Sequence, residues 1–183
     1  MKTAKAASRY AQALLDLSLE AKVSDRISDD LKTIVSTVQS SPELISLLKS
    51  RIIKDDKKLQ VLKAVFEKHV DELTVKLLNL LAVKKRMNIL LDVVSEYLHK
   101  LEVIQGVLRL RLISAVALQD EVKNKIKQSL KTEKWKEIIF EEEIDSDIVG
   151  GFILRTDEVQ FDASVQAKLE QIKQSFLNKS FAA

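Results

Sequence analysis

The hydrophobic pattern of residues 1–105 is that of consecutive amphipathic helices. Apolar residues recur at spacings of three and four, and one such stripe consists of Ile27, Leu31, Ile34, Val35 and Val38. Gly is absent from this stretch, and Pro42 follows Ser41, so that Ser41 can cap a helix whose first residue is Pro42. Polar breaks lie near residues 21–25, 40–42, 50–55, 69–72 and 84–86. The pattern therefore predicts about six helices that share one core.

At Gly106 the period changes from that of a helix to that of a strand. Leu108, Leu110 and Leu112 alternate with their neighbours, as in a strand with one buried face. The later residues predict a helix opened by Asp120 and Glu121, strands at 138–144, 151–155 and 159–161, a tight turn at 156–158, and a last helix capped by Asp162. The predicted fold is mainly α, with a six-helix bundle over residues 1–105 and a small α+β domain over residues 106–183.

Composition removes several classes of protein from consideration. The chain has 183 residues, 46% of them apolar and 31% charged, and it contains no Cys, which excludes a disulfide scaffold. A net charge of +3 gives no support to a polyanion partner. The longest uncharged stretch, Thr33–Pro42, is too short to cross a bilayer, and the first residues lack the apolar core of a secretion signal.

No local motif for catalysis, metal binding or cofactor binding is present in the sequence. The only glycines are Gly106, Gly150 and Gly151, which cannot form a Gly-rich phosphate loop. The only histidines, His69 and His99, have no ligand spacing for zinc. GxSxG and HExxH motifs are also missing. We therefore expect no catalytic residues, no cofactor and no metal, and a binding or structural protein.

Three stretches resemble the delta subunit of bacterial and chloroplast F-type ATP synthases, the counterpart of the mitochondrial oligomycin-sensitivity-conferring protein. They are residues 8–18, which contain Arg9-Tyr10-Ala11, residues 77–87, and residues 144–155, which contain Gly150-Gly151 and end in Arg155. The third stretch is the most specific. Lys84-Lys85 stands where the family usually has Asn-Gly or Asn-Lys, and Thr156 stands where it usually has Gly. The resemblance covers nearly the full length in the right order.

The resemblance implies a non-catalytic stator subunit that links the catalytic head to the peripheral stalk and supports proton-driven ATP synthesis. Its N-terminal domain would accept the N-terminal helix of an alpha subunit in a groove between the first and fifth helices. Its C-terminal domain would bind the b subunits of the stalk. The expected location is the cytoplasmic face of the bacterial inner membrane, with membrane attachment only through partners. A start without an Arg- and Ser-rich presequence favours a bacterial protein over an organelle precursor.

Two sets of residues are the candidates for function. The groove for the alpha-subunit helix is expected to involve Tyr10, Ala13, Leu14, Lys76, Leu77 and Leu80. The alternative is that all of these except Lys76 are ordinary core, because periodicity does not say which stripe faces outward. Gly150, Gly151 and Arg155 form the structural signature, and the Gly pair is expected mainly to shape the backbone.

The runner-up hypothesis is a stand-alone helical adaptor or a nucleic-acid-associated regulatory protein. Lys84-Lys85-Arg86 has no interleaved aromatic residues, so a solvated helix end is favoured and no nucleic-acid partner is expected. Glu141-Glu142-Glu143 alternates across a strand and predicts exposed edge charge. The adaptor hypothesis predicts salt-dependent binding to polyanions, whereas the stator hypothesis predicts binding to amphipathic helices with little salt dependence.

Overall fold

A computed structural model describes residues 2–50, 52–132, 134–156 and 159–180, with side chains from residue 4 to residue 174 in those ranges. The described part of the chain is mostly helical, with one small mixed sheet of four strands. It divides into two compact units between Glu102 and Val103, a few residues before the change of period at Gly106.

The N-terminal unit consists of helices that lie between the polar breaks of the sequence. They are α1 (Lys2–Glu20), α2 (Ser24–Ser40), α3 (Pro42–Lys49), α4 (Asp55–Phe66), α5 (Glu72–Val83) and α6 (Leu90–Gln105), with a 3-10 turn at Met87–Ile89. The expected cap of α3 is confirmed, because the backbone N–H of Leu44 donates to Ser41 Oγ at 3.4 Å and Pro42 is the first helical residue.

One apolar cluster fills the interior of the N-terminal unit. Each helix contributes to it, and its members include Ala11, Leu15, Ile27, Leu31, Leu48, Leu62, Leu78, Leu90 and Tyr97. The Tyr97 hydroxyl is hydrogen-bonded to Ser18 Oγ at 2.9 Å within this interior. Burial raises the pKa of Tyr97, the Ser18 hydrogen bond opposes that rise, and the charge of Asp25 adds to it. The hydroxyl therefore stays a neutral hydrogen-bonding group in the core.

Two helices of this unit end on lysines in the left-handed region. Lys22 has φ 58° and Lys85 has φ 54°. After α5, Lys85 N–H donates to the Ala82 carbonyl at 2.9 Å and Arg86 N–H donates to the Leu81 carbonyl at 2.8 Å. This is the Schellman pattern, in which Gly is preferred at the position that Lys85 occupies.

The C-terminal unit contains a parallel and an antiparallel strand pairing in one sheet. Its elements are β1 (Val107–Ser114), α7 (Asp120–Leu130), β2 (Glu137–Ile144), β3 (Phe152–Arg155), β4 (Gln160–Asp162) and α8 (Val165–Ser180). The strand order is β2-β1-β3-β4, with β1 parallel to β2 and β3 antiparallel to both β1 and β4. The order of elements is the one predicted, and α7 makes the crossover that parallel strands require. Of the predicted tight turn, Asp157 and Glu158 lie outside the described residues.

The prediction that Asp162 caps the last helix is wrong. α8 begins at Val165, and Ser164 Oγ accepts the backbone N–H of Ala167 at 3.1 Å. Asp162 Oδ1 instead accepts the Ser164 N–H at 2.9 Å. Asp162 thus fixes the loop that presents Ser164, which is the residue in capping position.

Candidate functional site

The structure separates the six candidate groove residues into accessible and buried ones. Ala13, Lys76 and Leu80 are exposed and Tyr10 is half-buried. Leu14 and Leu77 are each 5% exposed and belong to the apolar cluster of the N-terminal unit. A partner can therefore contact the side chains of Tyr10, Ala13, Lys76 and Leu80. Those of Leu14 and Leu77 are packed in the interior.

Exposed apolar side chains follow one face of α1 and one face of α5. Leu17 is 51% exposed on α1, and Leu80 and Val83 are 42% and 74% exposed on α5. We call this set, with Tyr10 and Ala13, the apolar strip. Its residues are spaced by three or four along each helix, and α1 and α5 are in contact. Sequence reasoning missed Val83 as a candidate, although its position three residues after Leu80 was the available signal.

Charged side chains border the apolar strip. Lys76 Nζ lies 2.8 Å from Glu72 Oε1, one turn earlier on α5. The guanidinium carbon of Arg86, just beyond the end of α5, lies 5.8 Å from the centroid of the Tyr10 ring. This distance is that of a cation–π contact, which joins the end of α5 to the aromatic residue of the strip.

Two backbone segments approach each other closely at Gly151. Gly151 has φ +82°, and a Cβ placed there would lie 2.4 Å from the Ala163 carbonyl oxygen. The segments are joined by hydrogen bonds from Ala163 N–H to the Phe152 carbonyl and from Val165 N–H to the Gly150 carbonyl, both of 2.9 Å. The lack of a side chain at Gly151 therefore lets the start of β3 lie against the start of α8.

Arg155 closes the outer hairpin of the sheet. Its Nη2 and Nε donate to Gln160 Oε1 at 2.7 and 3.0 Å, and the two residues are partners across β3 and β4. The side chain is exposed. The hydrogen bonds from Arg155 to Gln160 thus join two neighbouring strands at the surface of the sheet.

A second exposed apolar face lies on α8. Val165, Leu169 and Ile172 are 41%, 61% and 52% exposed and follow one another at helical spacing. We call these three side chains the α8 face. The side chain of Phe176, the next residue of the stripe in the sequence, lies outside the described residues. This spacing is that of one face of an amphipathic helix, and the structure exposes its described side chains to solvent.

Glu141, Glu142 and Glu143 lie on β2, an exposed edge strand, as predicted. Glu141 and Glu143 pair with Arg109 and Arg111 of β1 at 3.3 and 3.8 Å, whereas Glu142 accepts from Lys123 Nζ of α7 at 2.6 Å; Glu142 therefore points to the other side of the sheet. The hydrogen bond to Glu142 raises the pKa of Lys123. Every one of these acids thus has a cationic partner.

Among the described residues, no three His, Asp or Glu side chains converge as a metal site would require. No helix in the described ranges combines the length and the apolar character needed to cross a membrane.

Comparison with known proteins gives a consistent family. A family model described as ATP synthase delta (OSCP) subunit matches residues 6–176. ATP synthase subunit delta of Cytophaga hutchinsonii is 33% identical over 176 residues, 96% of this chain and 96% of that protein. ATP synthase subunit delta of Chlorobaculum parvum is 34% identical over 177 residues, 97% of this chain and 98% of that protein.

A solved structure shares the fold. A chain in the cryo-EM structure of the Toxoplasma gondii mitochondrial ATP synthase hexamer superimposes with a TM-score of 0.71 at 20% identity. The superposition covers 93% of this chain and 97% of that chain.

Proposed function

Because the chain belongs to the ATP synthase delta (OSCP) subunit family, it is a non-catalytic subunit of F-type ATP synthase, and we propose how its two units tie that complex together. The N-terminal unit binds the catalytic head and the C-terminal unit binds the peripheral stalk. The subunit thereby keeps the head from turning with the rotor and supports proton-driven ATP synthesis. It is a peripheral part of a membrane-bound complex, and we place it on the cytoplasmic face of the bacterial inner membrane.

In this proposal the helices of the N-terminal unit act as a six-helix bundle that accepts the N-terminal helix of an alpha subunit. The apolar strip supports this role, because Leu17, Leu80 and Val83 expose apolar surface on two adjacent helices. An amphipathic helix buries its apolar face in such a groove through residues spaced by three and four. Leu14 and Leu77, packed beneath, hold α1 and α5 at a fixed spacing. The exposed strip is the observation that carries the proposal for this partner.

The C-terminal unit binds the b subunits through the α8 face in the same proposal. Val165, Leu169 and Ile172 form an apolar stripe on a helix that has solvent on that side. A helix of the stalk packed along it would bury these side chains in a helix–helix contact. Burial of each such side chain contributes roughly 1.5–3 kcal/mol before the losses of association.

The head-binding proposal is tested by calorimetry with the full chain. The probe is a synthetic peptide copying about 20 N-terminal residues of the same organism's ATP synthase alpha subunit, the length of a short helix. We expect one-to-one binding with a negative heat-capacity change, because apolar surface is buried. Ala13→Trp places a bulky ring on the strip and is expected to weaken binding at least about tenfold.

Ala64→Trp is the matched control for that variant. Ala64 is an exposed alanine on α4, outside the two helices that carry the strip. It should leave the peptide affinity unchanged. No binding by the folded wild-type chain would reject the head-binding proposal, and equal affinities of wild type and Ala13→Trp would remove α1 from the site.

The stalk-binding proposal is tested by sedimentation of the full chain with the soluble part of the b subunits. Leu169→Asp puts a charge in the middle of the α8 face and is expected to abolish the complex. Gln171→Asp adds the same charge on the other side of α8, where the residue is exposed, and should leave the complex intact. Retention of the complex by Leu169→Asp would exclude the α8 face as the contact.

A further inference from the structure

Positive charge accumulates at the end of the apolar strip where α5 stops. Lys84, Lys85 and Arg86 follow α5 directly, and all three side chains are exposed. Arg86 differs from the two lysines because its guanidinium lies over the ring of Tyr10, with 5.8 Å from its carbon to the ring centroid. The contact holds one cation at the border of the strip itself.

These cations have no acidic partner among the residues that the structure describes. Lys76 is a useful contrast within the same helix, because its ammonium group is already 2.8 Å from the Glu72 carboxylate. A carboxylate brought to the strip would therefore meet an engaged cation at Lys76 and an available one at Arg86. Because Arg86 is available and Lys76 is already paired, a negative charge on a docked helix is favoured at the Arg86 end of the strip.

We infer that Arg86 is a specificity-determining residue that pairs with an aspartate or glutamate bordering the apolar face of the docked helix. This inference rests on the proposed binding of the alpha-subunit helix to the apolar strip. The guanidinium can stack on Tyr10 and still present its N–H groups to both oxygens of a carboxylate. An ammonium group in the same place has neither the planar face nor the fork of donors.

The Tyr10 contact makes the pair stronger than an ordinary surface ion pair. Exposed pairs are weak in part because two long side chains must be ordered and both charges remain in water. Here the ring of Tyr10 already restricts the Arg86 side chain, and a helix lying on the strip would remove water from one side of it. Pairing at this end would also favour one of the two directions in which a helix can lie on the strip.

The test is a double-mutant cycle measured by calorimetry with the full chain. The probes are the alpha-subunit peptide described above and versions in which each Asp or Glu is changed singly to Asn or Gln. Arg86→Gln is expected to weaken binding of the parent peptide about three- to tenfold. One peptide variant should show the same loss with the wild-type chain and no further loss with Arg86→Gln. The coupling should fall as salt is raised from 0.05 to 0.5 M.

Three variants keep this test separate from folding and from the head-binding proposal. Lys76→Gln removes the cation already paired with Glu72 and should show no coupling to any peptide carboxylate. Arg86→Lys should recover only part of the affinity, because it keeps the charge without the fork. Thermal unfolding of Arg86→Gln should remain one cooperative transition, lowered only by the loss of the Tyr10 contact, since the backbone N–H of Arg86 still closes the end of α5.

The outcomes distinguish the two proposals. Binding of the parent peptide with additive effects of Arg86→Gln and every carboxylate change would overturn the role of Arg86 and leave the strip as the docking site. A peptide that binds tightly with no Asp or Glu in it would do the same. No binding of any peptide to a folded chain would reject the docking site, and the role of Arg86 with it.

Discussion

The two units of this chain bury apolar side chains to very different extents. Among the described residues, the largest side chains that are less than 2% exposed all belong to the N-terminal unit, with Leu112 of β1 as the exception. In the C-terminal unit α7, described over its whole length, has no buried side chain. The α8 face is 41–61% exposed at its three residues. One unit thus has a closed core, whereas the other leaves much of its apolar surface in water.

This difference indicates where each unit obtains its stability. Burial of apolar area is the dominant favourable term in folding, so a thin core leaves a small reserve against any loss. A partner that binds only the folded unit adds stability by mass action. The difference therefore predicts that the C-terminal unit has the smaller reserve of stability and that the N-terminal unit has the larger one.

Gly151→Ala should produce the largest difference in stability between the two units. The new Cβ would meet the Ala163 carbonyl oxygen at 2.4 Å, and the residue would be held at φ +82°. We expect a loss of about 3 kcal/mol or more, enough to unfold the C-terminal unit while the N-terminal unit stays folded. The single tryptophan, Trp135, lies in the C-terminal unit, so its fluorescence reports that unit alone, and circular dichroism at 222 nm follows mainly the helices.

Gly150→Ala is the matched control for Gly151→Ala. A Cβ at Gly150 would lie 3.3 Å from Cγ2 of Val165, an exposed side chain that needs to shift by only a few tenths of an ångström, and no positive φ is involved. A native Trp135 signal is expected for this variant. A native signal for Gly151→Ala as well would show that the close approach of β3 and α8 is not needed.

Equal truncations in the two cores should have unequal consequences. Leu31→Ala in α2 and Leu112→Ala in β1 each remove a side chain that is at most 1% exposed. Each should cost about 3 kcal/mol. We expect Leu31→Ala to lower the unfolding midpoint of a unit that stays folded at 25 °C, and Leu112→Ala to unfold the C-terminal unit. Denaturant unfolding followed by Trp135 fluorescence and by circular dichroism separates the two, and similar folded populations for both variants would contradict the comparison.

Lys85→Gly should stabilise the unit that already has the larger core. Lys85 has φ 54° at the end of α5, a conformation that Gly adopts without strain. We expect a gain of about 0.5–1 kcal/mol in the free energy of unfolding, measured by urea denaturation followed at 222 nm. Lys84→Gly is the control, because Lys84 has φ −82° and gains nothing from Gly. A gain for Lys84→Gly equal to that for Lys85→Gly would exclude backbone strain as the cause.

The elements of this fold could be predicted because each has a local signal. The spacing of Ile27, Leu31 and Ile34, the Ser41-Pro42 pair, and the alternation around Leu110 each act over a few residues, and the structure has the corresponding helices and strand. The cap of α8 was missed because Asp162 and Ser164 are both favourable caps. Only the fold shows which of them has its oxygen at a free helix N–H.

The candidate site was harder to predict from the sequence than the helices and strands, because packing decides which side chains of a stripe are buried. A stripe such as Tyr10, Ala13, Leu14 and Leu17 shows that a helix is amphipathic, but its width leaves open which members face the core. Packing places Leu14 inside and Leu17 outside, although the two are three residues apart. The contact between Arg86 and Tyr10 joins residues far apart in the sequence, so no local pattern predicted it.

Lowering the pH should change stability less than any of these substitutions. The change should differ between the two units. The backbone N–H of Ser164, with its side chain as a second donor, holds the pKa of Asp162 below the usual 3.8. In the N-terminal unit, the Glu43 N–H and the Ser41 hydroxyl lower the pKa of Glu43 from 4.5. A lowered folded pKa means that the stabilisation is complete above the usual value and is lost as pH falls through the folded one.

We therefore expect the urea midpoint of the Trp135 signal to fall as pH is lowered from 5 to 3, and Asp162→Asn to remove part of that fall. Asn keeps an oxygen for the Ser164 N–H but does not titrate, so the variant should remain close to wild type at pH 7. Glu43→Gln should change the acid response of the helical signal and leave that of Trp135 alone, because Glu43 lies in the first turn of α3, a helix of the other unit. A fall of the Trp135 midpoint that is unchanged in Asp162→Asn would assign the acid sensitivity of the C-terminal unit to its other carboxylates.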